Sequence, residues 1–184
     1  MYTIAPIEYK TFGHGDFAAE WGPHEGVSEW WYATGYLRDD EGRLYSYQYT
    51  LISLCQPMGR LYGIMLAVTD FAEDQHYYSQ RTDLSDQHVL ITNSVVQWDD
   101  RAGVLKGPHS MKIWASHENF SFDLDARYGK GVFWHAYDGV LQMGLDGPAE
   151  TTTYYSYTNM PTSGVMVING KKLHVTGKSW FDKQ

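Results

Sequence analysis

From Tyr45 to Leu51 every second residue is large and apolar: Tyr45, Tyr47, Tyr49 and Leu51 alternate with Ser46, Gln48 and Thr50. A period of two places the aromatics on one face of a strand and the small polar groups on the other. Residues 30–37 read as its partner, and Asp39-Asp40-Glu41-Gly42-Arg43 as the turn between them, so 30–37 and 43–54 pair antiparallel. Residues 61–69 are mostly apolar and predict a well-buried strand. Val95-Val96-Gln97-Trp98 runs into Asp99-Asp100-Arg101-Ala102-Gly103, a second turn with its glycine placed for positive φ. Residues 111–116 and 120–126 alternate across His117-Glu118-Asn119. Asn169-Gly170, between 165–168 and 173–176, is a strong two-residue hairpin signal. No segment carries a sustained helical stripe. Seven or more short strands joined by turns predict an all-β sandwich or barrel, and the alternating tyrosines favour a barrel. There is no internal repeat and no obvious linker. The glycine-rich stretch 129–153 predicts a long connection over a barrel mouth, where functional loops concentrate.

Composition narrows the function classes. The 184 residues suit one domain, 1–184, with a substantial core, and 43% apolar against 20% charged residues excludes a disordered chain. Fifteen tyrosines and seven tryptophans suit half-buried sheets and amphipathic pockets. A net charge of -8 argues against a nucleic-acid partner, which would want a basic face. No apolar run approaches the about 20 residues of a transmembrane helix. Met-Tyr-Thr-Ile-Ala-Pro lacks the basic start and apolar stretch of a signal peptide, leaving the cytoplasm as the default compartment. The single Cys55 excludes an internal disulfide framework, and its apolar neighbours predict a buried, inert thiol. The eight histidines are scattered without a close metal-ligand pair. Nothing resembles a nucleophile elbow, a dinucleotide fingerprint or a phosphate loop, so neither metal nor cofactor is expected.

Candidate chemistry centres on Glu29-Trp30-Trp31-Tyr32. Alternation puts Trp31 with Glu29 and Ala33, and Trp30 with Tyr32 and Thr34. One set faces the lumen and the other faces outward or a partner, with either set open to a core-packing or a ligand-binding role. Gln48 is a lumen hydrogen-bond donor or a solvated surface residue. Glu29 and Asp182 both have tryptophan neighbours. Burial against aromatic rings raises a carboxyl pKa and suits it to donate a proton. The alternative for each is satisfaction of buried backbone groups or an arginine.

Three segments in order resemble the carotenoid 1,2-hydratase (hydroxyneurosporene synthase) and AttH-like superfamily. That superfamily takes in kievitone-hydratase-like proteins and lipocalin-like Diels–Alderase-type cyclases. The segments are Gly22-Pro23-His24 with Glu29-Trp30-Trp31-Tyr32-Ala33-Thr34-Gly35-Tyr36-Leu37, then Tyr154-Tyr155-Ser156, then Gly177-Lys178-Ser179-Trp180-Phe181-Asp182-Lys183-Gln184. The resemblance implies a lipocalin-like antiparallel β-barrel, the N-terminal one of two. The sequence stops before the family's following Trp-Gly, and its last residues read as the middle of an element. The expected partner is therefore a second barrel, in the same protein or on a separate chain.

The implied activity is cofactor-independent, acid-initiated hydration, isomerisation or cyclisation of a carbon–carbon double bond in an apolar isoprenoid or polyene-like substrate. Asp182 is the implied proton donor, because the matching motif holds the carboxylate associated with hydratase chemistry. Glu29 and His24 are supporting or alternative acid/base groups. Trp30, Trp31, Tyr32, Gln48, Tyr154, Tyr155 and Trp180 are candidate substrate contacts. A pericyclic cyclase acting by positioning alone, a non-catalytic carrier of a hydrophobic molecule and an assembly module remain the alternatives.

Overall fold

Burial alternates along nearly every strand, and that alternation curls one antiparallel sheet around its own apolar face. The computed structural model describes residues 20–136, 139–144 and 150–184. Its long strands are β1 (Glu29–Asp39), β2 (Leu44–Gln56), β3 (Gly59–Asp70) and β4 (Gln75–Asp83). After a 3-10 turn come β5 (Val89–Ile91), β6 (Val95–Trp98), β7 (Ala102–Lys106), β8 (Ser110–Ser116) and β9 (Phe120–Arg127). The short β10 (Val132–Trp134), β11 (Val140–Gln142) and β12 (Thr151–Thr153) precede β13 (Tyr155–Ile168) and β14 (Lys171–Lys183). The main sheet runs β4-β3-β2-β1-β14-β13-β9-β8-β7-β6-β5; β10 adds beside β13, and β11 and β12 form a separate ribbon.

The curl is visible in contacts between strands far apart in that order. The Tyr49 hydroxyl on β2 donates to the Val96 carbonyl on β6 at 2.9 Å. The rings of Tyr47 on β2 and Phe122 on β9 meet at 5.1 Å. Tyr45, Tyr47, Tyr49, Leu51, Trp31, Ile113, Leu124 and Phe181 fill the lumen and are buried. Each such side chain contributes about 1.5–3 kcal/mol through removal from water. The Asn169-Gly170 turn forms with both residues at positive φ, 48° and 79°, the conformation a two-residue hairpin needs. Gly35 has a different reason to be glycine. A Cβ there would lie 2.5 Å from the Lys178 carbonyl oxygen and 2.8 Å from the Tyr47 ring.

The expected hairpins 30–37/43–54, 111–116/120–126 and 165–168/173–176 all form. The all-β, lipocalin-like architecture stands as expected, curled into a half-barrel whose end strands β4 and β5 do not pair with one another and leave an open seam. Three details differ from the sequence expectation. Asp99, at φ 49°, rather than Gly103 takes the positive φ of the turn after β6, and Gly103 lies within β7. β4 itself was hidden because an edge strand can be largely polar, as Gln75–Asp83 is. Cys55 is exposed rather than buried, because β2 runs out there into the turn before Gly59. No helix among the described residues is long and apolar enough to cross a membrane.

Candidate active site

β1 and β14 lie side by side, with Trp31 opposite Lys183, Tyr32 opposite Asp182 and Ala33 opposite Phe181. Alternate residues point to opposite faces, so this register sorts the candidate residues into two groups. Glu29, Trp31, Tyr155 and Lys183 belong to the inner face. Trp30, Tyr32, Gln48, Tyr154, Trp180 and Asp182 belong to the outer face.

On the inner face, Lys183 Nζ reaches Glu29 Oε1 at 2.7 Å and lies 4.6 Å from the centre of the Trp31 ring. His24 Nδ1 is 2.5 Å from the same carboxylate oxygen, and the His24 backbone N–H donates to Oε2 at 2.8 Å. Arg60 fastens the loop that carries His24 by donating to the carbonyls of His24 and Val27 and to Ser53 Oγ. Glu29 and Lys183 are 1% and 3% exposed, beside a cavity of about 440 Å³ also lined by Val140 and Thr151–Thr153. Burial pushes the Glu29 carboxyl up, but His24 and then Lys183 outweigh it and hold it below the usual range. The Glu29 carboxyl is thus lowered by His24 and Lys183 rather than raised as its aromatic neighbours suggested. For Lys183 burial outweighs Glu29, and the ammonium sits below its ordinary range. The pair therefore tethers β1 to β14 without being a simple gain in stability. Tyr155, opposite Lys183 in register, is buried beside it, and burial raises its phenol well above the usual value.

On the outer face, Asp182 is the focus of a polar network. Ser156, directly opposite it on β13, donates its hydroxyl to Asp182 Oδ1 in a short hydrogen bond. Trp180 Nε1 donates to the same oxygen at 2.5 Å. The Tyr154 phenol lies beside Asp182 and Ser156 and is raised by burial and then by the Asp182 charge. His135, just past β10, places Nε2 2.7 Å from Ser156 Oγ and stacks on the Tyr154 ring at 3.8 Å. Tyr32 adjoins Asp182 across the β1–β14 pair, while Gln48 lies opposite Thr34 and donates to Thr50.

A β-bulge decides that Ser156 belongs here. Between Tyr157 and Met160 the β13 register slips by one residue, with Asn159 at φ 52°. After the slip Met160 and Thr162 face the core; before it Tyr155 and Tyr157 do, which sends Ser156 outward. An unbroken strand would put Ser156 in the lumen. His135 and the role of Ser156 were absent from the sequence reading. His135 falls in a glycine-rich stretch without periodicity, and the only signal for the bulge is an asparagine, a residue that tolerates positive φ.

This arrangement can do acid–base chemistry on the outer face and cannot readily do it on the inner one. Glu29 is buried, with His24 Nδ1 and Lys183 Nζ on Oε1 and the His24 backbone N–H on Oε2. Asp182 is half-buried, served by neutral donors and flanked by the partly exposed rings of Trp30, Tyr32 and Trp180.

The comparisons agree with the fold. A structure of an AttH candidate from Nitrosomonas europaea is similar over 100% of this chain and 57% of its own length, with TM-score 0.80 and 20% identity. Kievitone hydratase from Nectria haematococca is similar over 97% of this chain and 52% of its own, with TM-score 0.73 and 15% identity. The chain thus spans a little over half the length of each. No curated protein matches in direct sequence comparison. The AttH-like family model matches residues 13–184, and the chain belongs to that family.

Proposed function

We propose that this chain carries the acid–base face of a hydratase-type enzyme acting on an apolar, alkene-bearing small molecule of isoprenoid or polyene-like character. The observation that carries the reading is the convergence of Ser156, Trp180 and Tyr154 on the Asp182 carboxyl beside half-exposed aromatic rings. Similarity of fold to a kievitone hydratase supports the reaction class.

In this reading Asp182 gives a proton to one alkene carbon, and the Ser156 hydroxyl and Trp180 Nε1, both donors to Oδ1, hold the carboxylate that forms. The cation formed on the other carbon is stabilised by the faces of Trp30, Tyr32 and Trp180. Water adds to that carbon and returns a proton to Asp182. Shielding of the face from bulk solvent falls to a second barrel, in the same protein or on a separate chain, consistent with the share of each relative that this chain spans.

The test is turnover of prenylated and polyene substrates, kievitone first, read by mass spectrometry as gain of one water, with one carbon-bound deuterium when run in D₂O. Asp182→Asn is expected to lower turnover about 10²–10⁴-fold with folding and ligand binding retained. Full activity in Asp182→Asn sinks the role.

A further inference from the structure

The open seam of the half-barrel holds a cleft of about 620 Å³ that has no part in the Asp182 network. It is braced at both ends. At one end the Tyr77 ring on β4 meets Phe120 at 6.5 Å, and its hydroxyl accepts from Asn169 Nδ2 at 2.8 Å. At the other, His88 bridges Asp99 at 2.9 Å and Asp83 at 3.8 Å and stacks on Trp98. The floor between the braces is apolar: Ile64, Leu66, Trp98 and Ala102 come from the inner faces of β3, β6 and β7.

Two arginines line this cleft. Arg81 lies opposite Ile64 in the β3–β4 register and so shares the inner face, while Arg101 comes from the turn between β6 and β7. Neither guanidinium makes an ion pair or side-chain hydrogen bond among the described residues. Three of the molecule's other arginines are engaged, while Arg127 on β9 makes no side-chain hydrogen bond or ion pair among the described residues. Arg43 pairs with Asp39 and Glu41, Arg60 clamps the His24 loop, and Arg38 caps the Gly42 carbonyl. Asp83 and Asp99, each two residues from one of these arginines, are engaged by His88 instead. Asp100 and Glu118 also stand on the rim, neither within ion-pair reach of Arg81 or Arg101.

We propose that this cleft is a ligand site for a carboxylate-headed amphiphile, a fatty acid or a carboxylated isoprenoid. Its chain lies on Ile64, Leu66 and Trp98, and its head is taken by Arg81 and Arg101. A guanidinium fork matches a carboxylate in geometry and charge. The apolar floor supplies the non-directional part of the binding. The overall charge of -8 opposes approach of any anion, so recognition depends on these two local cations and weakens with salt. The site is independent of the proposed chemistry at Asp182, from which it is separated by the sheet order β3-β2-β1-β14.

Titration calorimetry on the 184-residue chain with decanoate and 1-decanol tests this. Decanoate is expected to bind saturably at one site, at least tenfold tighter than decanol at low salt. The Arg81→Gln/Arg101→Gln double variant is expected to reduce decanoate to the affinity of decanol and leave decanol unchanged. Asp182→Asn is expected to bind decanoate as the parent does. Equal affinity for acid and alcohol overturns the proposal, as does absence of saturable binding. So does decanoate binding that survives loss of both arginines, which would leave them as charges that merely guard an edge strand against pairing. Loss of decanoate binding in Asp182→Asn would move the ligand to the outer face and equally overturn it.

Discussion

Asp182 and Lys183, neighbours on β14, present their side chains to opposite faces of one sheet. Asp182 meets Ser156 and Trp180 on the outer face, while Lys183 meets Glu29 and Trp31 on the inner one. A single peptide unit thus joins the candidate chemistry to the strut that holds β1 and β14 in register. Changes at either residue should be judged on both activity and stability.

The Lys183–Glu29 pair is expected to show strong non-additivity. Glu29→Leu leaves the buried Lys183 ammonium without its counter-charge and Lys183→Met leaves Glu29 with His24 alone, and each should destabilise by about 3–5 kcal/mol. Glu29→Leu combined with Lys183→Met should recover much of that loss. Urea unfolding of the four proteins gives the cycle, and simple additivity would remove the ion pair from the account.

Acid should expose the same strut. The Glu29 carboxyl is held below its ordinary 4.5 in the folded chain. Its contribution is therefore present above that value and lost as the pH falls through the lower, folded one. Stability of the parent should drop on the acid side of pH 4.5 more steeply than that of the Glu29→Leu/Lys183→Met variant. Parallel losses of stability in the two proteins as the pH falls through the carboxylate range would contradict this.

Ser156 links His135 to Asp182, so Ser156→Ala should impair the chemical step more than binding. Turnover of any accepted substrate should fall by roughly tenfold to a hundredfold with little change in KM, the pattern of an interaction made in the transition state. Stability should fall by only about 1 kcal/mol, the net worth of a typical hydrogen bond. A change confined to KM would assign Ser156 to substrate binding instead.

Gly35 should not tolerate a side chain. Its Cβ position is blocked by the Lys178 carbonyl, the Tyr47 ring and Ser179 Oγ at 2.9 Å. Gly35→Ala is expected to lose about 1–3 kcal/mol through overpacking, read as a lower Tm. An unchanged melt would mean that β1 and β14 separate more easily than their packing suggests.

Most of the strand pattern was legible in the sequence because a sheet with one buried face writes its period of two directly into the order of residues. Tyr45, Tyr47 and Tyr49 give their common face away, and Asn169-Gly170 announces its turn through the positive φ that few other pairs adopt. The same rule correctly separated Trp30 from Trp31. Periodicity reports which residues share a face and says nothing about which face is the lumen. That choice belongs to long-range packing, such as Tyr49 against Val96 and Trp31 against the Trp21 carbonyl. It also says nothing of an inserted residue: the slip before Met160 reverses the parity of β13 and delivers Ser156 to Asp182 rather than to the core. His135 arrives from a segment without pattern, and Arg81 and Arg101 meet at one cleft only because the sheet curls far enough to bring β4 near β6. Local alternation is set by side-chain chemistry a few residues at a time, whereas partners 21 to 154 residues apart in sequence, as in the Ser156–His135 and Glu29–Lys183 contacts, are chosen by the closure of the whole sheet.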